Sequence, residues 1–155
     1  MSDRLLADGG DPIRVGLNGF GRIGRNVLRA SLTDDRVEIV GINDVMDDDE
    51  MRYLLEYDTV HGTTPDVSVS DGDLHVGSAS IPLLDVKDPA ELPWDDHDVD
   101  VAFECTGLFR THDDASAHLD AGAEKVVISA PPKGEKDVLQ IVYGVNHDEY
   151  AGEDV

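Results

Sequence analysis

Gly19, Gly21 and Gly24 form a Gly-x-Gly-x-x-Gly pattern, and Asp44 follows twenty residues after the last of them. Ahead of the glycines runs Ile13-Arg-Val-Gly-Leu17, a short β-type stretch, and behind them an amphipathic segment from Arg22 to about Leu32. Glycines in that setting have separate tasks. Gly19 permits a tight turn off a strand, Gly21 lets a phosphate approach the backbone, and Gly24 lets the helix pack close to the strand. The first N–H groups of that helix lack intrahelical acceptors and lie at the positive end of its dipole, so they attract an anion. Asp44, at the end of the second strand, suits hydrogen bonds from ribose hydroxyls. The chemistry these residues share is the binding of an adenine dinucleotide. A 2′-phosphate beside the Asp44 carboxylate would be a like-charge contact, which favours NAD over NADP. Val45 adds no phosphate donor, but high salt weakens the like-charge discrimination, so NADP stays open.

Other reactive types do not form a site. Cys105 ends the run Val101-Ala-Phe-Glu-Cys with no base beside it in sequence, and a lone cysteine at a strand end reads as a small buried hydrophobe. No catalytic residue is assigned. The histidines His61, His75, His97, His112, His118 and His147 lack metal-ligand spacing, so no metal site is expected. Asp47 to Glu50 read as solvated acids favouring a helix start rather than as a cation site. Lys133-Gly-Glu-Lys136, after two prolines, reads as an exposed loop.

The elements that must hold the glycines and Asp44 alternate. Strands are expected at Ile13–Leu17, Val37–Ile42, Val99–Glu104, Val126–Ser129 and Ile141–Tyr143; the first four are apolar with little alternation, as when both faces of a sheet are covered. The first helix, Arg22 to about Leu32, would turn Ile23, Val27, Leu28 and Leu32 to one side and its arginines to the other. A second would begin at Asp47–Asp49 and carry Met51, Leu54 and Leu55. Thr111 would cap a third that ends at Gly122. This alternation implies an α/β, doubly wound, mostly parallel Rossmann-type sheet. Between Asp66 and Leu84, short alternating runs split at Asp71-Gly72 and Gly77 predict inserted antiparallel hairpins.

At 155 residues the chain has the length of one domain, with an acidic leader over 1–12 read as mobile and a cofactor domain over 13–150. No run is long and apolar enough to cross a membrane, the N-terminus has no apolar signal region, and the single cysteine forms no internal disulfide; a reducing cytoplasm is the natural home. Lys and Arg number 12 against 34 Asp and Glu, a net charge of −22, which disfavours nucleic acid as a partner. The acids recur in nearly every loop. Such self-repulsion is screened in concentrated salt, where the Debye length at about 1 M is roughly 3 Å. The expectation is a halophilic protein.

A wider set of residues resembles the phosphorylating glyceraldehyde-3-phosphate dehydrogenase family of bacteria and eukaryotes. They are Val15-Gly-Leu-Asn-Gly-Phe-Gly-Arg-Ile-Gly-Arg25, Ile42-Asn-Asp44, Leu55-Glu-Tyr-Asp-Thr-Val-His-Gly62, Glu104-Cys-Thr-Gly-Leu-Phe109, Ala121 to Pro131, and Tyr143-Gly-Val-Asn-His147. The resemblance runs from about Ile13 to Tyr150. It implies that Asn18, Phe20, Gly21, Arg22 and Ile23 line the adenosine and pyrophosphate and Asp44 the ribose, with Thr106 and Gly107 along the adenosine side and Ser129 toward the nicotinamide. It also implies that the family's catalytic Cys and His follow later than Val155, so that 151–155 would begin the link to a catalytic domain. This chain alone would then bind dinucleotide without turnover. The complete enzyme of the resemblance is a cytoplasmic homotetramer of glycolysis acting on a small phosphorylated aldehyde. A same-family enzyme for erythrose 4-phosphate and a non-catalytic dinucleotide-binding module are the alternatives.

Overall fold

The structure is a computed structural model describing residues 10–134 and 138–155. Most of the leader assigned to 1–12 and part of the Lys133–Lys136 loop lie outside the described residues. The chain runs β1 (Ile13–Asn18), α1 (Arg22–Ser31), β2 (Val37–Asn43), α2 (Asp48–Glu56), β3 (Tyr57–Asp58) and β4 (Gly62–Thr63). It continues through β5 (Val67–Ser70), β6 (Asp73–Val76), β7 (Ala79–Leu84), β8 (Val101–Glu104), α3 (His112–Ala115), α4 (Ala117–Asp120) and β9 (Lys125–Ile128). Seven strands make one sheet in the order β5-β6-β7-β2-β1-β8-β9, and β3 and β4 form a small separate pair.

Strands β7, β2, β1, β8 and β9 run parallel to one another, and β1 lies between β2 and β8. Apolar packing covers both faces. Val15, Leu17, Ile39 and Ile42 join Phe20, Leu28, Met51 and Leu55 in one buried cluster. Val40 and Ala102 join Leu92, Trp94, Val99, Ala121 and Ala123 in another. Ile39 and Val40 are adjacent in one strand, so the clusters lie on opposite faces of the sheet. Trp94 fits because two strand positions are glycine. A Cβ on Gly16 would stand 2.9 Å from its ring, and one on Gly41 3.3 Å.

The hairpins between Asp66 and Leu84 form as expected, but they extend the main sheet. Asp71 (φ 56°) and Gly72 (φ 85°) make the two-residue turn between β5 and β6, a left-handed pair that suits strand twist. β6 pairs antiparallel with β7, and β7 pairs parallel with β2.

Four expectations need correction. Ile141–Tyr143 is no strand: Ile141 is 46%, Val142 60% and Tyr143 88% exposed. Instead Val142 N donates to Asn146 Oδ1 at 2.7 Å, while Asn146 Nδ2 donates to the Gln140 carbonyl at 2.9 Å. A local side chain thus closes a turn that competes with strand pairing. Along α1, Ile23 and Leu32 are exposed and the buried stripe is Gly24 and Leu28. The reason is Gly24, whose missing Cβ would lie 2.1 Å from the Gly19 carbonyl oxygen, so the helix makes its closest approach there. Nor do the arginines all face solvent. Arg25 and Arg29 are half-buried, and Arg29 Nη2 donates to the Leu55 carbonyl at 2.9 Å. The third helix is broken into α3 and α4 at Ser116, whose hydroxyl donates to the His112 carbonyl at 2.7 Å. Thr111 does cap it, accepting from Asp114 N at 3.0 Å, and Gly122 (φ 108°) follows its end.

Candidate functional site

The chain runs from β1 to β2 on one side of β1 and later places β8 on the other, so the carboxyl end of β1 is a point where the strand order reverses. In such sheets a crevice opens outside the strand ends. Here it is a cleft of about 450 Å³ whose wall includes Asn18, Gly19 and Gly21 after β1, Asn43, Asp44 and Val45 after β2, and Cys105 and Thr106 after β8. Val86 and Lys87, past β7, together with Leu108 and Phe109, complete it.

The turn between β1 and α1 is pinned on both sides of one peptide plane's neighbourhood. Phe20 N donates to Asp44 Oδ2 at 2.6 Å, and Arg25 Nη1 donates to the Phe20 carbonyl at 2.7 Å. The other Asp44 oxygen accepts from Met46 N at 2.9 Å. Gly19 has φ 98°, which glycine adopts without strain, and a Cβ there would stand 2.6 Å from Thr106 N. Beyond Gly21 there is open space where its Cβ would stand.

The start of α1 also differs chemically from its neighbours. Asp47 caps α2 with three acids in the first turn, and Thr111 caps α3 with two. α1 starts at Gly21 with no capping side chain and no acid in its first turn. In a chain of 34 acids, that leaves a positive helix end for an external anion. Burial lowers the pKa of the Arg25 guanidinium, with Arg29 adding to the effect.

Behind the cleft lies a buried polar network. Glu104 (1% exposed) accepts from Asn18 Nδ2 at 2.6 Å and Thr106 N at 2.8 Å, and from the Thr106 hydroxyl. Its Oε2 also lies 3.1 Å from His118 Nε2, and Trp94 Nε1 donates to His118 Nδ1 at 3.0 Å. Asn43 Nδ2 donates to Asn18 Oδ1 at 2.7 Å and to the Val86 carbonyl at 2.9 Å, while Val86 N donates back to Asn43 Oδ1 at 2.8 Å.

Of the residues expected from sequence, Asn18, Gly19, Gly21, Asp44 and Thr106 come together in the cleft wall. Phe20 is fully buried beneath its turn, and Gly24 is buried against Gly19. Arg22 and Ile23 are exposed in the first turn of α1. Gly107 (φ 73°) turns the chain between Thr106 and Leu108 without lining the cleft. Ser129 follows β9 and lines a second cavity of about 380 Å³ with Pro131 and Val142. Asn43, Val86, Lys87, Leu108 and Phe109 were not foreseen, and Cys105, set aside as a nucleophile, is a wall residue. Burial pushes the Cys105 thiol up to about 11. Among the described residues no three His, Cys, Asp or Glu are grouped to hold a metal ion, and no helix is long and apolar enough to cross a membrane.

Residues 13–112 match the family model of the glyceraldehyde 3-phosphate dehydrogenase NAD-binding domain. The chain belongs to the glyceraldehyde-3-phosphate dehydrogenase family. It is similar to the glyceraldehyde-3-phosphate dehydrogenase of Haloarcula vallismortis, 65% identical over 147 residues covering 94% of this chain and 44% of that protein. The Bacteroides fragilis glyceraldehyde-3-phosphate dehydrogenase is 48% identical over 92% of the chain and 43% of its own length. The cytosolic glyceraldehyde-3-phosphate dehydrogenase of Trypanosoma brucei brucei is 50% identical over 91% and 42%. The chain thus spans less than half the length of these relatives, and the part it spans is the NAD-binding domain. The cleft fits that cofactor: an uncapped helix start for the phosphates, open space at Gly21, and a carboxylate at Asp44.

Proposed function

We propose that this chain is the cofactor-binding part of a phosphorylating glyceraldehyde-3-phosphate dehydrogenase, binding NAD in the cleft at the carboxyl end of β1. The observation that carries it is the bare N-terminus of α1 beside Asp44. In this reading the turn Gly19 to Gly24 and the first N–H groups of α1, at Arg22 and Ile23, hold the pyrophosphate. Asp44 accepts from the adenosine ribose. Asn18, Thr106 and Gly107 shape the adenosine side, Phe20 anchors the turn from below, and Ser129 stands toward the nicotinamide end. When bound, the nicotinamide supplies a hydride acceptor; the residues of this chain only bind and orient it. NADP is the weaker ligand because its 2′-phosphate would meet the Asp44 carboxylate.

The only cysteine of the sequence is held as a neutral thiol by burial, so it is a poor nucleophile. We therefore infer that the 155 residues alone do not turn over. In the whole protein the substrate would be a small phosphorylated aldehyde, oxidised and phosphorylated to 1,3-bisphosphoglycerate by a homotetramer in a high-salt cytoplasm. The domain would occupy 13–150, preceded by an acidic leader and followed from 151 by a link to catalytic residues.

Calorimetric titration of the chain in molar KCl tests this. NAD should bind more tightly than NADP, and Asp44→Ala should lose roughly tenfold or more in NAD affinity, the order expected for removing hydrogen bonds to a charged group. Absence of NAD binding overturns the cleft assignment. Phosphate-dependent NAD reduction by the chain with glyceraldehyde 3-phosphate overturns the claim that it does not turn over.

A further inference from the structure

Two ionisable side chains behind the cleft are wholly buried and do not line it: Glu104, 1% exposed, and His118, 0% exposed. Their hydrogen-bond roles follow from their partners. An indole N–H only donates, so the 3.0 Å bond from Trp94 Nε1 makes His118 Nδ1 the acceptor. The ring proton is thereby assigned to Nε2, facing Glu104 Oε2 at 3.1 Å. Glu104 then accepts on both oxygens. Oε2 takes His118 and Asn18 Nδ2, and Oε1 takes the backbone N–H and hydroxyl of Thr106.

Asn18 and Thr106 begin the two turns that wall the cleft. Asn18 leads into Gly19, and its carbonyl accepts from Cys105 N at 2.7 Å. The turns touch, since a Cβ on Gly19 would stand 2.6 Å from Thr106 N. A carboxylate that grips both fixes their separation.

We propose that Glu104, held in turn by His118, is a positioning residue for the dinucleotide: it sets the distance and register between the Gly19 and Thr106 walls of the cleft. This rests on the reading of the cleft as the NAD site. Glutamine at 104 keeps the shape but replaces one acceptor oxygen with a donor. That donor must face either the Thr106 N–H or the Asn18 and His118 N–H groups. His118 cannot exchange its proton to relieve the conflict, because Nδ1 already faces the Trp94 N–H.

The test compares NAD affinity of Glu104→Gln with that of Leu74→Ala. Leu74 is buried in β6 and takes no part in the network, so its loss lowers stability without altering the cleft. Both are measured well below their melting temperatures. Glu104→Gln should weaken NAD at least tenfold and move the Thr106 amide resonance, while Leu74→Ala stays within twofold. Equal affinity in Glu104→Gln and the unmodified chain overturns the proposal, as does an equal loss in both variants. Should Glu104→Gln fail to fold, Trp94→Phe decides. A loss of at least threefold beyond Leu74→Ala, with a shifted Thr106 amide, supports positioning; no change in either overturns it. An unmodified chain that binds no NAD overturns the cleft assignment itself, and this inference with it.

Discussion

At the residue scale, the three glycines of the turn separate cleanly by what surrounds each. A methyl at Gly24 would lie 2.1 Å from the Gly19 carbonyl oxygen, a backbone atom that cannot swing away. Gly24→Ala should therefore push α1 off the turn and cost on the order of 1–3 kcal/mol or more, read as a lower melting temperature. Gly21 meets nothing within 4 Å, and its φ of −68° suits any residue. Gly21→Ala should leave the melting temperature nearly unchanged and still weaken NAD roughly tenfold, measured by titration. Cys105 gives a chemical check: with its thiol near 11, iodoacetamide alkylation at pH 8 should run roughly a hundredfold slower than for a free thiol. The rate should climb as pH rises toward 11, and NAD should protect, since Cys105 lines the cleft. The glycines and Asp44 were legible because their spacing encodes backbone conformation. Lys87, Leu108 and Phe109 were not, because they reach the cleft from separate loops that no periodicity connects. The bonds of Asp44 to Phe20 N and Met46 N were equally hidden: spacing places an acid but does not name its partners.

At the scale of elements, the helix starts divide into capped and bare. Asp47 accepts from Asp49 N at 3.0 Å, so Asp47→Ala should cost about 1 kcal/mol of stability. NAD affinity should hardly move, because α2 does not border the cleft; thermal melts and titration together check this. Strands β1, β2 and β8 were legible from apolar runs, and β5 to β7 from alternation and the Asp-Gly turn. Their joining into one sheet was not, because nothing local records that β7 pairs with β2. The apolar run at Ile141–Tyr143 misled for the converse reason: its composition is strand-like, but Asn146 satisfies its backbone locally. In the third helix the hydroxyl of Ser116 competes for the backbone and breaks what the pattern shows as continuous.

At the scale of the whole molecule, charge dominates. Twelve cations cannot pair thirty-four carboxylates, and the ion pairs that form, such as Arg14–Glu38 and Arg52–Glu56, leave most acids facing solvent. Raising KCl from about 0.1 M to about 1 M shortens the Debye length from about 10 Å to about 3 Å. The melting temperature should rise by at least about 5 °C over that range, read by circular dichroism; a flat or falling curve would remove self-repulsion as the controlling term. The placement of β1 between β2 and β8 has a kinetic consequence. Asn18 and Glu104 meet across 86 residues of sequence, whereas the β5–β6–β7 ribbon closes over turns of two residues. Loop closure favours near neighbours. During synthesis the ribbon and β2 have their partners early, while one edge of β1 waits, unpaired and apolar, for β8 to leave the ribosome. The cleft at the carboxyl end of β1 is thus among the last features to assemble, and a nascent chain stalled before β8 exposes an open strand edge prone to pair with another chain.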